Sequence, residues 1–160
     1  MTELDLRALL DALHQREVRF VVIGGLAVAA HGYVRATEDL DIVPDPDREN
    51  LRRLSNALVD LEATLPLDGD RPFEPARHDA ALRRGRNLTL ITRFGDLDVV
   101  QRAPGVPPYS CLDDQAVDSD LLGVPVRVCS LAHLRRMKES RSSAQDVADL
   151  ERLPDVQGRP

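Results

Sequence analysis

Asp39 and Asp41 stand two positions apart in the string Asp39-Leu40-Asp41-Ile42. Residues two apart in a strand point to one face, about 6 to 7 Å from each other, so both carboxylates would project together while Leu40 and Ile42 enter the opposite face. Two anions held side by side repel, and a hard cation with oxygen ligands removes that cost; Mg²⁺ is the usual one where phosphates complete its shell. A solvated acidic strand end beside a turn would use the same two residues, so the pair needs support from elsewhere. Asp98 gives that support. It lies between Leu97 and Val99-Val100, a carboxylate inside an apolar strand, where a lone charge is expensive to bury. It is therefore expected as the third metal ligand. Asp96 would share its face if the strand reached that far, but Gly95-Asp96 reads as a hairpin tip, where aspartate is common for backbone reasons.

Gly24 and Gly25 supply a second half of such a site. A strand-to-helix turn without Cβ atoms lets backbone N–H groups and a helix N-terminus come close to a phosphate. Alone, Gly-Gly is more often a plain turn, and it is not the GxGxxG pattern of a dinucleotide fold. Its meaning comes from the thirteen residues that separate it from Asp39. Near the other end of the chain, Lys138 and Arg141 lie about one turn apart at a helix end, where cations could reach triphosphate oxygens; a solvated helix face is the alternative. Arg35 could contact phosphate or pair with Asp41, Thr37 could cap a turn, and Asp146 is expected to pair with Arg141.

The elements that must hold these residues are legible in the hydrophobic pattern. Leu6, Leu9, Leu10 and Leu13 recur at helical spacing over residues 4 to 16. A β-branched run from Val18 to Ile23 ends in the glycine pair, and Leu26 to Ala30 favours helix up to Gly32. Leu40, Ile42 and Val43 make a second strand that Pro44 and Pro46 terminate, after which Asp47 caps a helix from Arg48 to Leu61. Residues 66 to 80 read as an irregular proline-rich loop. Leu88 to Phe94 and Leu97 to Val100 read as two strands, and Val124 to Val128 as another beyond a second proline-rich loop. Ser130 caps a helix through Lys138, and Ala144 to Leu153 makes the last one. The expected class is α/β or α+β: a mixed central sheet flanked by helices, with a helical C-terminal end. One domain is expected over 1–160, with the sheet core at 17–128 and the terminal helices at 130–153.

Composition sets limits. A chain of 160 residues with 42% hydrophobic content can bury one ordinary core. A net charge of −6 argues against a uniformly basic nucleic-acid binder. Locally the balance reverses: from Arg71 to Arg102 seven arginines face four acids, with Arg83, Arg84 and Arg86 the densest cluster. That cluster could draw in a polynucleotide or simply be a solvated loop. With 3% aromatics, base stacking contributes little. Cys111 and Cys129 lack zinc spacing and are expected reduced. The first residues do not resemble a signal peptide and the apolar run at 21–30 is too short to span a bilayer, so a soluble, cytoplasmic protein without membrane association is expected.

The string Val22-Ile23-Gly24-Gly25, the thirteen-residue spacer and Asp39-Leu40-Asp41-Ile42 together resemble the nucleotidyltransferase signature of the polymerase β superfamily, with Asp98 as its third carboxylate. More narrowly, Gly24-Gly25-Leu26-Ala27, His31-Gly32 and Arg35-x-Thr37-x-Asp39-x-Asp41 are similar to the AbiEii-type nucleotidyltransferase toxins of bacterial toxin–antitoxin pairs. The ending agrees: Ser130-Leu131 through Met137-Lys138, then Arg141, Asp146 and Asp149-Leu150. Gly25 stands where many members of the wider superfamily carry serine, so backbone N–H groups must serve in place of a hydroxyl.

The resemblance implies a nucleotidyltransferase fold and Mg²⁺, or Mn²⁺ in its place, held by Asp39, Asp41 and Asp98. It implies an NTP donor bound through Gly24, Gly25, Arg35, Thr37, Lys138 and Arg141, a tRNA 3′ end or other RNA as acceptor, and a cognate antitoxin as partner. Two alternatives stay open: transfer to a small hydroxylated molecule such as an aminoglycoside, which the acidic net charge would attract, and a non-catalytic protein that binds nucleotide or metal.

Overall fold

A computed structural model describes residues 3–155; the first two and last five residues of the expected 1–160 domain lie outside it. Helix α1 (Leu6–Gln15), capped by the Asp5 carboxylate, buries Leu6, Leu9, Leu10 and Leu13. The strands β1 (Phe20–Ile23) and β2 (Asp39–Pro44) enclose α2 (Gly24–Ala30). Asp47 caps α3 (Arg48–Asp60), accepting from the Glu49 and Asn50 N–H groups. Then come β3 (Thr64–Leu65), a 3₁₀ turn at Pro66–Asp68, β4 (Arg71–Pro72), α4 (Pro75–Arg83), β5 (Leu88–Thr92) and β6 (Gly95–Val99). The chain ends in α5 (Tyr109–Gln115), β7 (Val117–Leu121), β8 (Val124–Val128), α6 (Leu131–Arg141) and α7 (Ala144–Arg152).

All eight strands form one sheet in the order β4-β3-β5-β6-β2-β1-β8-β7. β2 runs parallel to β6 and β1 parallel to β8, while the other neighbours are antiparallel, so the sheet is mixed as expected. β1, buried at every position, and β2 with β6 form its centre. Leu40, Ile42, Leu90, Leu97 and Val99 are fully enclosed in the core. Among the described residues no helix is long and apolar enough to cross a membrane.

Three local expectations are corrected. Residues 66–80 are not an irregular loop: Pro75 occupies the first turn of α4, where its missing N–H costs nothing, so a residue that reads as a breaker opens a helix. The β5–β6 turn lies at Arg93–Phe94 rather than Gly95–Asp96, because the Thr92 hydroxyl donates to the Gly95 carbonyl (2.7 Å) and accepts from the Phe94 N–H (3.1 Å), closing the turn two residues earlier. Asp96 therefore lies within β6, on the same face as Asp98. Finally, the segment before β8 contains α5 and β7.

Candidate active site

The parallel register of β2 on β6 sets Asp39 opposite Asp96 and Asp41 opposite Asp98, while the antiparallel register of β1 on β2 sets Ile23 opposite Asp41. Four carboxylates thus line two adjacent strands on one face, and the Gly24 turn begins beside Asp41. Asp39, Asp41 and Asp98 are half-buried and each offers an oxygen within 4.8 Å of the others, a grouping able to hold a metal ion. Asp96 is exposed and stands outside it.

The electrostatics follow from that crowding. Burial, then the negative charges of Asp39 and Asp98, push the Asp41 carboxyl up to about 7. Asp39 is also raised, by burial first and then by hydrogen bonding to Asp98 and the Asp98 and Asp96 charges. Arg141 is the cation that opposes the shift at Asp41.

Gly24 is left-handed (φ +71°), and a Cβ there would collide with Asp41 Oδ2. The turn and the carboxylate therefore occupy one space. Gly24→Ala is expected to cost about 1 to 3 kcal/mol from backbone strain alone and to displace Asp41, which thermal unfolding with and without divalent metal will show. Gly25 has an ordinary backbone, but a Cβ there would lie 2.9 Å from Thr37 Oγ1 and 3.2 to 3.3 Å from the Arg35 guanidinium nitrogens. The glycine pair and the Arg35-x-Thr37 string are thus one device: Thr37 brings a hydroxyl over the turn that a side chain at position 25 would displace. That hydroxyl donates weakly to the Asp39 carbonyl (3.3 Å).

Arg35 pairs with Asp149 rather than Asp41. Its Nε and Nη2 donate to the two carboxylate oxygens at 2.8 and 2.9 Å. Asp149 is fully buried, and it also accepts from Gln145 (2.9 Å) and from Lys138 Nζ at 3.0 Å. Lys138 reaches Asp146 at 3.0 Å as well, whereas Arg141 Nε is 3.6 Å from Asp146 and mostly exposed. Asp146 thus has Lys138 as its nearer cation. Burial works to raise both carboxyls, but hydrogen bonds from Ser143 and Lys138 to Asp146, and from Arg35, Lys138 and Gln145 to Asp149, hold them below their ordinary value. Lys138 and Arg141 still line a cavity of about 260 Å³ together with Gly24, Asp41, Asn87 and Met137.

The same arrangement of sheet, helices and chain order recurs in solved structures. A Thermotoga maritima protein assigned as a nucleotidyltransferase matches over 92% of this chain and 88% of its own, with a TM-score of 0.57 and 15% identity. The aminoglycoside nucleotidyltransferase ANT(2″)-Ia, solved in complex with adenylyl-2″-tobramycin, matches over 91% of this chain and 83% of its own, with a TM-score of 0.57 and 13% identity. This chain has the nucleotidyltransferase fold. No family model matches the sequence, and no characterised protein matches it by sequence.

Within this nucleotidyltransferase fold, the residues singled out from sequence fall into two groups. Gly24, Asp39, Asp41 and Asp98 form one centre, with Gly25 and Thr37 at its edge. Arg35 and Lys138 join the centre to α7 through Asp149, a hub that the sequence marked only as part of the C-terminal resemblance, without a role. Asn87, at the cavity wall, was missed for want of any pattern. His31, part of the His31-Gly32 pair in the resemblance, has Nε2 at 2.8 Å from the Cys129 carbonyl. Cys129 is buried, and that burial pushes its thiol up to about 12.

Proposed function

We propose that this chain is a cytoplasmic nucleotidyltransferase that moves a nucleoside monophosphate from an NTP to an acceptor hydroxyl. The observation that carries this reading is the trio of carboxylates on two adjacent strands, with ligand oxygens within 4.8 Å, pressed against a glycine turn. The donor set fits a hard divalent cation: it is all oxygen, and burial together with the crowding of the three carboxylates pushes Asp41 up to about 7. Asp39, Asp41 and Asp98 would hold Mg²⁺, or Mn²⁺ in its place. When bound, the ion neutralises phosphate charge and acidifies the acceptor hydroxyl.

The acceptor oxygen forms a bond to the α-phosphorus as the bond to the bridging oxygen breaks and pyrophosphate leaves. Asp98 is the group that takes the hydroxyl proton. The Gly24-Gly25 backbone and the Thr37 hydroxyl border the phosphate position. Arg141, exposed and only loosely paired, reaches the triphosphate, while Arg35 and Lys138, each paired with buried aspartates, anchor α7 behind it. The AbiEii-type resemblance supports a tRNA 3′ end as acceptor, and a toxin's role opposed by a cognate antitoxin. A second reading has its own support: ANT(2″)-Ia shares the fold and was solved with adenylyl-2″-tobramycin, and a net charge of −6 attracts polycations.

The test is incubation with each α-labelled NTP, Mg²⁺ and either total tRNA or an aminoglycoside panel, beside an Asp98→Asn control. Label on tRNA that the control lacks supports the first acceptor, and label confined to aminoglycosides the second. Absence of carboxylate-dependent label on any acceptor overturns the enzyme reading in favour of a non-catalytic nucleotide or metal binder.

A further inference from the structure

Arg83, Arg84, Arg86 and Arg102 have no part in the site above, and all four are exposed. Among the described residues, no carboxylate lies within 4.0 Å of any of their nitrogens, although Arg16, Arg19, Arg35 and Arg127 each hold an aspartate at 3.0 Å or less. The chain has 27 acidic residues against 21 basic ones, so carboxylates are abundant. Other arginines, Arg48, Arg93, Arg135 and Arg136 among them, also have no ion pair among the described residues, but Arg83, Arg84 and Arg86 are the densest cluster in the sequence, and its charge is available to an outside anion.

The backbone that carries the cluster is also held in place. Asn87 Oδ1 accepts from the Gln101 and Arg102 N–H groups (2.7 and 2.9 Å), and its Nδ2 donates to the Arg102 carbonyl (2.7 Å). Gln101 Nε2 donates to the Leu82 and Arg86 carbonyls at 3.0 and 2.9 Å. Two segments that carry the arginines are thereby tied together. Gly85, left-handed at φ +75°, has no side chain to keep the Arg102 guanidinium off the turn; a Cβ there would sit 3.2 Å from Arg102 Nε. Little loop ordering remains to be done on binding; the guanidinium groups themselves stay free to meet a ligand.

Arg83, Arg84 and Arg102 line a groove of about 480 Å³ together with Pro107, Pro108 and Tyr109. Ala103 and Val106 border both this groove and the cavity at Asp41, so the two adjoin. Clustered cations in a groove of this kind match the charged backbone of a nucleic-acid strand.

We propose that this arginine groove binds the sugar–phosphate backbone of a polynucleotide and presents its terminal hydroxyl to the Asp39–Asp41–Asp98 centre. The proposal rests on the nucleotidyltransferase reading for the fate of that hydroxyl, but the binding itself is independent of chemistry. An acidic protein would satisfy the arginines without supplying an end that fits the cavity.

Binding is measured by fluorescence anisotropy of a short single-stranded RNA and of DNA with the same sequence. The full chain is used in EDTA without NTP, across about 50 to 200 mM salt. Replacing all four arginines by glutamine (R83Q, R84Q, R86Q, R102Q) is expected to weaken binding at least about tenfold and to flatten the slope of log K against log salt by about 3, since each lost phosphate contact removes about 0.7 from a single-strand slope. The corresponding four lysine replacements keep the charge and should keep the slope, and thermal melting confirms that both variants fold. The tighter-bound oligonucleotide identifies the polynucleotide; equal binding supports the shared backbone. Unchanged affinity in the glutamine variant, no oligonucleotide binding by the wild type, or displacement of RNA by poly-glutamate at equal charge would each overturn the proposal. Arginine-dependent binding with no labelled product would instead sink the enzyme reading and leave the groove standing.

Discussion

Asp41→Asn is expected to lower nucleotidyl transfer by a factor of about 10² to 10³ or more, the scale of losing one strong electrostatic contact at a reacting centre, while the metal-free protein becomes more stable at neutral pH. Both effects have one cause. Asp41 is crowded by burial and by the Asp39 and Asp98 charges, so its carboxyl is pushed from 3.8 up to about 7 in the folded chain. Between those values the folded state binds more protons than the unfolded state, and stability must fall as pH rises through that window. Asparagine cannot ionise, so the variant should lose this slope and melt above wild type at pH values beyond the folded-state value. Divalent metal binds the native carboxylates and should recover wild-type stability at high pH with little effect on the variant. Melting curves at several pH values, with and without Mg²⁺, read all of this. A variant that keeps the wild-type pH slope would show that Asp41 does not sit among like charges.

The parts of this centre that were legible in the sequence are those fixed by backbone geometry at short range. Asp39 and Asp41 share a face because strand side chains alternate, and that holds wherever the strand goes. Asp98 was legible because an acid among Leu97, Val99 and Val100 has few other uses. What the local pattern could not contain is register. Asp98 meets Asp41 because β6 lies parallel to β2, a pairing set by the whole sheet. The bond from Arg35 to Asp149 spans 114 residues, and nothing near Arg35 distinguishes it from pairing with Asp41.

The elements that escaped notice are weakly patterned for physical reasons. β7 is an edge strand with no fully buried residue, so Val-Asp-Ser-Asp-Leu shows none of the alternation that a half-buried strand imposes. α5 buries only Leu112, and one apolar residue cannot establish a helical period. The β5–β6 turn was misplaced because glycine and aspartate are common turn residues. The Thr92 hydroxyl, which decides the matter, acts through a contact that composition does not show. That two-residue shift moved Asp96 from a turn into the strand, which is why it adds to the charge felt by Asp39.

Lys138→Met should be the most damaging single change to stability, at about 3 to 5 kcal/mol, the range for breaking a buried ion pair by removing one partner. The ammonium lies 3.0 Å from both Asp146 and Asp149, with its side chain 6% exposed and theirs 2% and 0%. Methionine keeps the length and the apolar stem, so the loss is one of charge. Two positive and two negative groups, Lys138 and Arg35 with Asp146 and Asp149, become one against two, and the remaining carboxylates cannot reach water. The neighbouring Arg141→Ala should cost under about 1 kcal/mol, because its 3.6 Å contact is largely solvent-screened. Its effect should fall on NTP affinity instead. Adding Asp146→Asn to Lys138→Met restores the one-to-one balance of Arg35 with Asp149, and an asparagine oxygen can still accept from the Ser143 hydroxyl. Recovery in the double variant beyond the sum of the single changes would therefore identify charge, not packing, as the cause. Urea midpoints at unchanged m-value give the comparison. If Lys138→Met cost no more than Arg141→Ala, the ammonium would not be committed to α7, and it would be free to serve phosphate as Arg141 does.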